Sequence, residues 1–116
     1  MVFLHEMAIA QGILDIALQT AAQNDAGRIL KISLLVGQLT EVEPESLCFC
    51  FTALAADTLA ADAELVVTIV ALTGRCRDCG KEFGIENYRF HCPNCGSCGV
   101  EIISGRELKV EHLEVE

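Results

Sequence analysis

From Met7 onward, Gln11, Asp15, Gln19 and Gln23 recur every four residues, while Ile9, Ile13, Leu14, Ala17 and Ala21 crowd the opposite side. This spacing predicts an amphipathic helix, with His5 and Glu6 at its mouth. Asn24 to Gly27 closes it, since Gly27 is free to take positive φ. RILKISLLVG then alternates as a strand does: Leu30, Ile32, Leu34 and Val36 share one face, and Lys31 and Ser33 the other. Gly37 to Pro44 is a connection, and Pro44 suits the first turn of a second helix, where its missing N–H costs nothing. Leu47, Cys50, Phe51 and Leu54 form that helix's buried stripe, with Cys48 and Cys50 as plain thiols. ELVVTIVAL is apolar on both faces apart from Thr68, so it is expected inside a sheet.

At Gly74 the pattern stops. GRCRDCGKEFGIENYRFHCPNCGSCG has few aliphatic residues and much Gly, Cys and charge. It reads as a separate small lobe. After it, VEIISG and RELKVEHLEVE look like two strands joined by a Ser104-Gly105 turn. The expected class is α+β: two helices packed on a small mixed or antiparallel sheet, with an inserted four-cysteine, zinc-ribbon-like lobe. The expected division is 1–73 plus 99–116 for the α+β domain and 74–98 for the lobe.

Composition narrows the function classes. The 116 residues carry 17 acidic against 8 basic side chains, a formal charge of −9, with one Tyr and no Trp. Nucleic acid is repelled by most of such a surface and finds little to stack on. A metal cation or a basic protein patch is attracted. The apolar runs are too short and interrupted for a membrane span. MVFL has no basic region or following apolar core, so no secretory signal is expected, and seven cysteines then suggest a reducing cytoplasm and metal ligation.

Cys76-x2-Cys79 and Cys92-x2-Cys95 are separated by twelve residues, and each pair is followed by Gly. Two such turns bring four thiolates together as a tetrahedron, which favours zinc, with iron as the main rival. The lobe has too little apolar mass to fold unaided, so metal binding belongs to its folding energy. A site closed by four cysteines leaves no position for water and is structural rather than catalytic. Arg75, Arg77, Lys81 and Arg89 lie close enough in sequence to soften its charge. Cys95-x2-Cys98 is a third CxxC, so the ligand set has an alternative, although Cys95 completes the matched pair of turns.

HE before an apolar helix, a strand ending VG, the second-helix run Glu45-Ser46-Leu47-Cys48-Phe49, the two CxxC pairs and the tail ISGRELKVEHLEVE stand in this order along nearly the whole chain. In that order they resemble the HypA/HybF family of nickel metallochaperones for nickel-iron hydrogenase maturation. The resemblance implies a nickel-binding α+β domain and a structural zinc domain, with zinc on Cys76, Cys79, Cys92 and Cys95. It implies Ni(II) as transferable cargo at His5, with Glu6 as its acidic neighbour. It further implies a nickel-handling maturation GTPase and the hydrogenase large-subunit precursor as partners and, for some members, urease maturation. Family chains begin Met-His-Glu, whereas here Val2, Phe3 and Leu4 intervene and move the terminal amine away from the imidazole. His91 and His112 are further imidazoles, expected at the surface and in a strand respectively. Two other classes fit the cysteines: a zinc-stapled protein-interaction adaptor with no second metal, and a rubredoxin-like iron protein.

Overall fold

The computed structural model describes the backbone of residues 2–116 and the side chains of residues 5–116. Helix α1 runs Val2–Gln23, strand β1 Ile29–Gly37, helix α2 Pro44–Ala55 and strand β2 Glu64–Val70. Strands β3 (Thr73–Cys76), β4 (Glu82–Gly84), β5 (Val100–Ser104) and β6 (Leu108–Val115) follow, and a single 3-10 turn covers Gln38–Thr40. The class is α+β, as expected, but the strands form two sheets, ordered β2-β1-β6 and β4-β3-β5.

Two compact units result. The first runs to Leu35 and takes in Val42–Thr68 and Lys109–Glu116; the second is Val36–Glu41 with Ile69–Leu108. The lobe is therefore wider than the expected 74–98. VEIIS, expected to join the tail strand in the α+β sheet through a Ser104-Gly105 turn, instead pairs antiparallel with β3, placing Arg75 opposite Glu101 and Cys76 opposite Val100. β4 pairs with one side of β3, and β5 takes up the backbone groups of the other side. β2 is also displaced from expectation. It lies at a sheet edge, with the strand Ile29–Gly37 taking the centre.

The first unit's core is built from one stripe of each helix and from β1. On α1 it comprises Glu6, Ala10, Ile13, Leu14, Ala17 and Ala21; on α2, Leu47, Cys50, Phe51 and Ala55. Ile29, Ile32 and Leu34 supply the strand's share. The alanines keep that side of α1 low, so a neighbouring helix can come close. Pro44 opens α2 as expected, and Glu43 caps it by accepting the Glu45 N–H at 2.8 Å. Helix α1 begins earlier than the polar stripe indicated. Nothing in Val2 to Glu6 breaks a helix, so the element extends back through His5 and Glu6.

The expected Ser104-Gly105 hairpin does not form, because β5 and β6 enter different sheets. At the junction Gly105 has φ +111° and its α-carbon lies against Leu72. A Cβ on Gly37 would fall 2.1 Å from the carbonyl oxygen of Gly105. The Leu39 N–H donates to that same oxygen at 2.8 Å. Two backbones thus cross at van der Waals distance, where only glycine fits. Gly37→Ala is expected to lower unfolding stability by about 3 kcal/mol, the cost of forcing a methyl into packed backbone. Denaturant titration of the zinc-loaded protein measures it.

Candidate metal centre

Each half of the cysteine cluster is a tight turn. The Gly80 N–H donates to the Cys76 carbonyl and the Gly96 N–H to the Cys92 carbonyl, both at 2.9 Å. Gly80 and Gly96 take φ of 79° and 76°, which a side chain would resist. The turns aim backbone donors at sulfur: Cys79 N–H to Cys76 Sγ at 3.4 Å, and Asn94 and Cys95 N–H to Cys92 Sγ at 3.3 and 3.4 Å. Cys76 and Cys92 are buried, and Cys79 and Cys95 lie toward solvent.

The ligand atoms of Cys76, Cys79, Cys92 and Cys95 all lie within 4.8 Å of one another. Cys76 and Cys95 approach to 3.5 Å, and Cys79 and Cys92 to 3.6 Å. A zinc ion with Zn–S bonds of about 2.3 Å at the centre of a tetrahedron requires S···S separations of about 3.8 Å, so the arrangement fits that ion. Cys98 is exposed and outside the cluster, so it is Cys95 that stands with the other three sulfurs.

Electrostatics show why a cation belongs here. The Cys79 N–H holds the Cys76 thiol below its ordinary pKa, and backbone donation at Lys81 does the same for Cys79. Cys92 is opposed by burial, yet the N–H groups of Cys95 and Asn94 bring it down. Cys95 receives help from the Ser97 backbone, but its three sulfur neighbours and burial push it up to about 12. Like charges on neighbouring sulfurs oppose one another, and a divalent ion among them would relieve that opposition.

Some supporting residues differ from those expected. Arg75 is not free to offset the cluster. Its guanidinium reaches Glu82 at 2.8 Å and Glu101 at 3.7 Å, on the strands at either side of β3. Asn94 was missed by the sequence reading: its Nδ2 donates to Cys79 Sγ at 3.7 Å, joining one turn to the other. The Ser97 hydroxyl donates to the Asp78 carboxylate across the same gap. The only signal in the sequence was their position inside or beside the CxxC turns. Tyr88 also went unnoticed. Its hydroxyl donates to Glu41 Oε1 at 2.6 Å, fastening the loop before Cys92 to the 36–41 segment, and this raises its own pKa.

The N-terminal candidates lie apart from each other in character. His5 is exposed on α1, whereas Glu6 is fully buried. Adjacent helix residues point about 100° apart, so the two side chains do not face one point. Glu6 Oε2 accepts the Glu43 N–H at 3.0 Å, at the cap of α2, while Oε1 is buried with no partner among the described residues. The terminal amine and the side chains of Val2, Phe3 and Leu4 lie outside the described residues. His91 is exposed beside Cys92. His112 Nε2 lies 3.1 Å from the Ser33 hydroxyl, inside the first unit.

A family model described as hydrogenase/urease nickel incorporation, metallochaperone, hypA, matches residues 4–115. The chain belongs to the HypA family. A hydrogenase maturation factor HypA from Prosthecochloris aestuarii is 41% identical over 113 residues, 97% of this chain and 100% of the relative. One from Geobacter metallireducens is 42% identical over the same shares. Two solved HypA structures share the fold. The solution structure of the Ni metallochaperone HypA from Helicobacter pylori has a TM-score of 0.69 at 21% identity, covering 95% of this chain and 96% of that one. A second HypA solution structure has a TM-score of 0.74 at 22% identity and covers 97% of each chain. Among the described residues no helix is long and apolar enough to cross a membrane.

The ligand set yields a discriminating pair of variants. Cys95→Ser is expected to lose bound zinc and the lobe's amide dispersion, while Cys98→Ser keeps both. Elemental analysis and two-dimensional NMR read the outcome.

Proposed function

We propose that this chain is a nickel carrier for the maturation of nickel-iron hydrogenase, with two metal stations of different chemistry. Cys76, Cys79, Cys92 and Cys95 hold Zn(II) permanently. Four thiolates close the coordination sphere, so this ion folds the lobe and takes no part in turnover. The reading is of a carrier rather than a catalyst.

Ni(II) is the cargo, and His5 is its proposed imidazole ligand. The carrying observation is the family match across residues 4–115 together with an exposed imidazole on the first turns of α1. The first N–H groups of a helix have no intrahelical acceptor, so the amides preceding His5 in α1 are the further proposed ligands, in deprotonated form. Nitrogen donors of this kind suit nickel. Glu6 takes a different part. Its carboxylate grips the start of α2, so it steadies the helix turn that presents His5. An exposed site on a helix end suits a carrier, because a partner's ligands can reach the ion and displace it.

The proposed recipients are a nickel-handling maturation GTPase and the hydrogenase large-subunit precursor. Urease maturation is a second destination, consistent with the wording of the family description. The thiols and the zinc site suit the reducing cytoplasm.

Nickel titration of zinc-loaded protein is the test. Wild type is expected to bind stoichiometrically, and His5→Ala to bind at least about 100-fold more weakly with zinc content unchanged. Zinc-loaded protein that takes up no nickel would instead be a metal-stapled adaptor.

A further inference from the structure

Charge is divided unevenly between the two units. The first unit holds eleven acidic and three basic side chains, the second six and five. Within the second unit most of the acids are already in use. Asp78 accepts from Ser97, Glu41 from Tyr88 and Glu107 from the Gly105 N–H, while Glu82 and Glu101 hold Arg75. Among the described residues the Glu86 carboxylate has no partner, and neither do the side chains of Arg77, Lys81, Arg89 and Arg106. The charge that this unit leaves open to a partner is therefore mostly cationic.

One of those cations stands on a built loop. The Arg89 N–H donates to the Glu86 carbonyl at 3.0 Å, and Asn87 and Tyr88 between them have φ of 53° and 57°. Two successive positive φ values are the pattern of a type I′ turn, a conformation that tyrosine rarely adopts. The Tyr88–Glu41 bond holds one end of the loop; at the other, the Cys92 N–H donates to the Ser97 carbonyl at 2.8 Å. Between these anchors Arg89, Phe90 and His91 are all exposed, and the Phe90 ring centre lies 6.4 Å from that of Tyr88. Beside them is a hollow of 180 Å³ lined by Phe83, Pro93, Glu86, Arg89 and His91. Strained backbone held by outside contacts, together with an arginine and exposed aromatic rings, marks a recognition surface.

We propose that this loop binds an extended segment of a partner polypeptide in which one carboxylate stands beside a bulky apolar residue. Arg89 takes the carboxylate, since a guanidinium can offer it two parallel N–H groups. The apolar side chain enters the hollow between Phe83 and Pro93. Glu86, on the same rim, repels a second acid, so a run of carboxylates fits less well than a single one. Charge complementarity confines such a segment to this unit, because eleven acids against three bases turn it away from the first. The contact involves neither His5 nor nickel, so it stands or falls apart from the carrier reading.

Amide chemical shifts of the zinc-loaded, nickel-free full chain, titrated with short capped peptides, decide the matter. The probes carry Asp-Leu or Asp-Phe between glycine and serine residues. The amides of 83–93 are expected to move, with a dissociation constant below about 1 mM for at least one probe. Replacing that probe's Asp by Asn, or its apolar residue by Gly, should weaken binding at least about fivefold. Arg89→Gln should weaken it at least about tenfold, whereas Lys81→Gln, outside the hollow, should leave it unchanged. If Arg89→Gln disturbs the free protein's own spectrum, Arg89→Lys replaces it; the charge stays, the paired N–H groups go, and binding should fall at least about threefold. The proposal is overturned if neither probe moves those amides up to about 5 mM. It is also overturned if the Asn analogue binds as well as the Asp probe, or if Lys81→Gln weakens binding as much as the Arg89 variant.

Discussion

Four sulfurs drawn to within 4.8 Å of one another cannot all carry charge unless a cation lies among them. The second unit is organised around meeting that condition. Its buried aliphatic residues beyond Val36 are Leu72 and Ile85, too few to fold forty-odd residues by burial. What it has instead is backbone N–H groups turned toward sulfur, a side-chain amide crossing between the turns, and the Asp78–Ser97 bond bracing them. Three short strands then extend this order outward from Cys76. A metal ion held by the four cysteines would supply cohesion that a larger domain obtains from its core.

The first unit obtains its cohesion in the usual way, and one buried carboxylate ties its parts together. Glu6 is polar where α1 would otherwise be apolar, and it joins that stripe by accepting the N–H that precedes α2. A carboxylate accepting from a helix start is favourably placed in the helix field. His5, one residue earlier, is turned outward by the same helical geometry. The two neighbours thus divide between holding the helices and facing solvent, a division that a mobile terminal segment would not impose.

The glycine crossing at Gly37 and Gly105 explains how so short a chain supports two sheets. β1 and β5 end there, the 3-10 turn and then β6 begin beyond it, and the backbones meet without side chains between them. Tyr88 adds a second tie within the same unit by reaching Glu41. Both residues have positive φ, at 57° each, so this tie holds backbone in a conformation that non-glycine residues otherwise avoid. Neither feature has a periodicity to announce it.

Much was legible without coordinates, and the reason is locality. The helical stripes, Pro44 at the start of α2, the β1 alternation and the CxxC-Gly turns each depend on neighbours a few residues away, so spacing alone reveals them. The assignment of VEIIS to the wrong sheet, the hairpin expected at Gly105 and the central place expected for β2 failed for the opposite reason. Strand order depends on which distant segments pair, and alternation looks the same in any sheet. Residue types and order by themselves determined that this is an α+β chain with two paired CxxC turns and a histidine near the start of its first helix. Tertiary structure alone decided that Cys95 and not Cys98 lies with the other three sulfurs, that Arg75 serves strand neighbours, and that Glu6 is buried while His5 is not. Those choices turn on distances between residues far apart in sequence, which only the folded backbone sets.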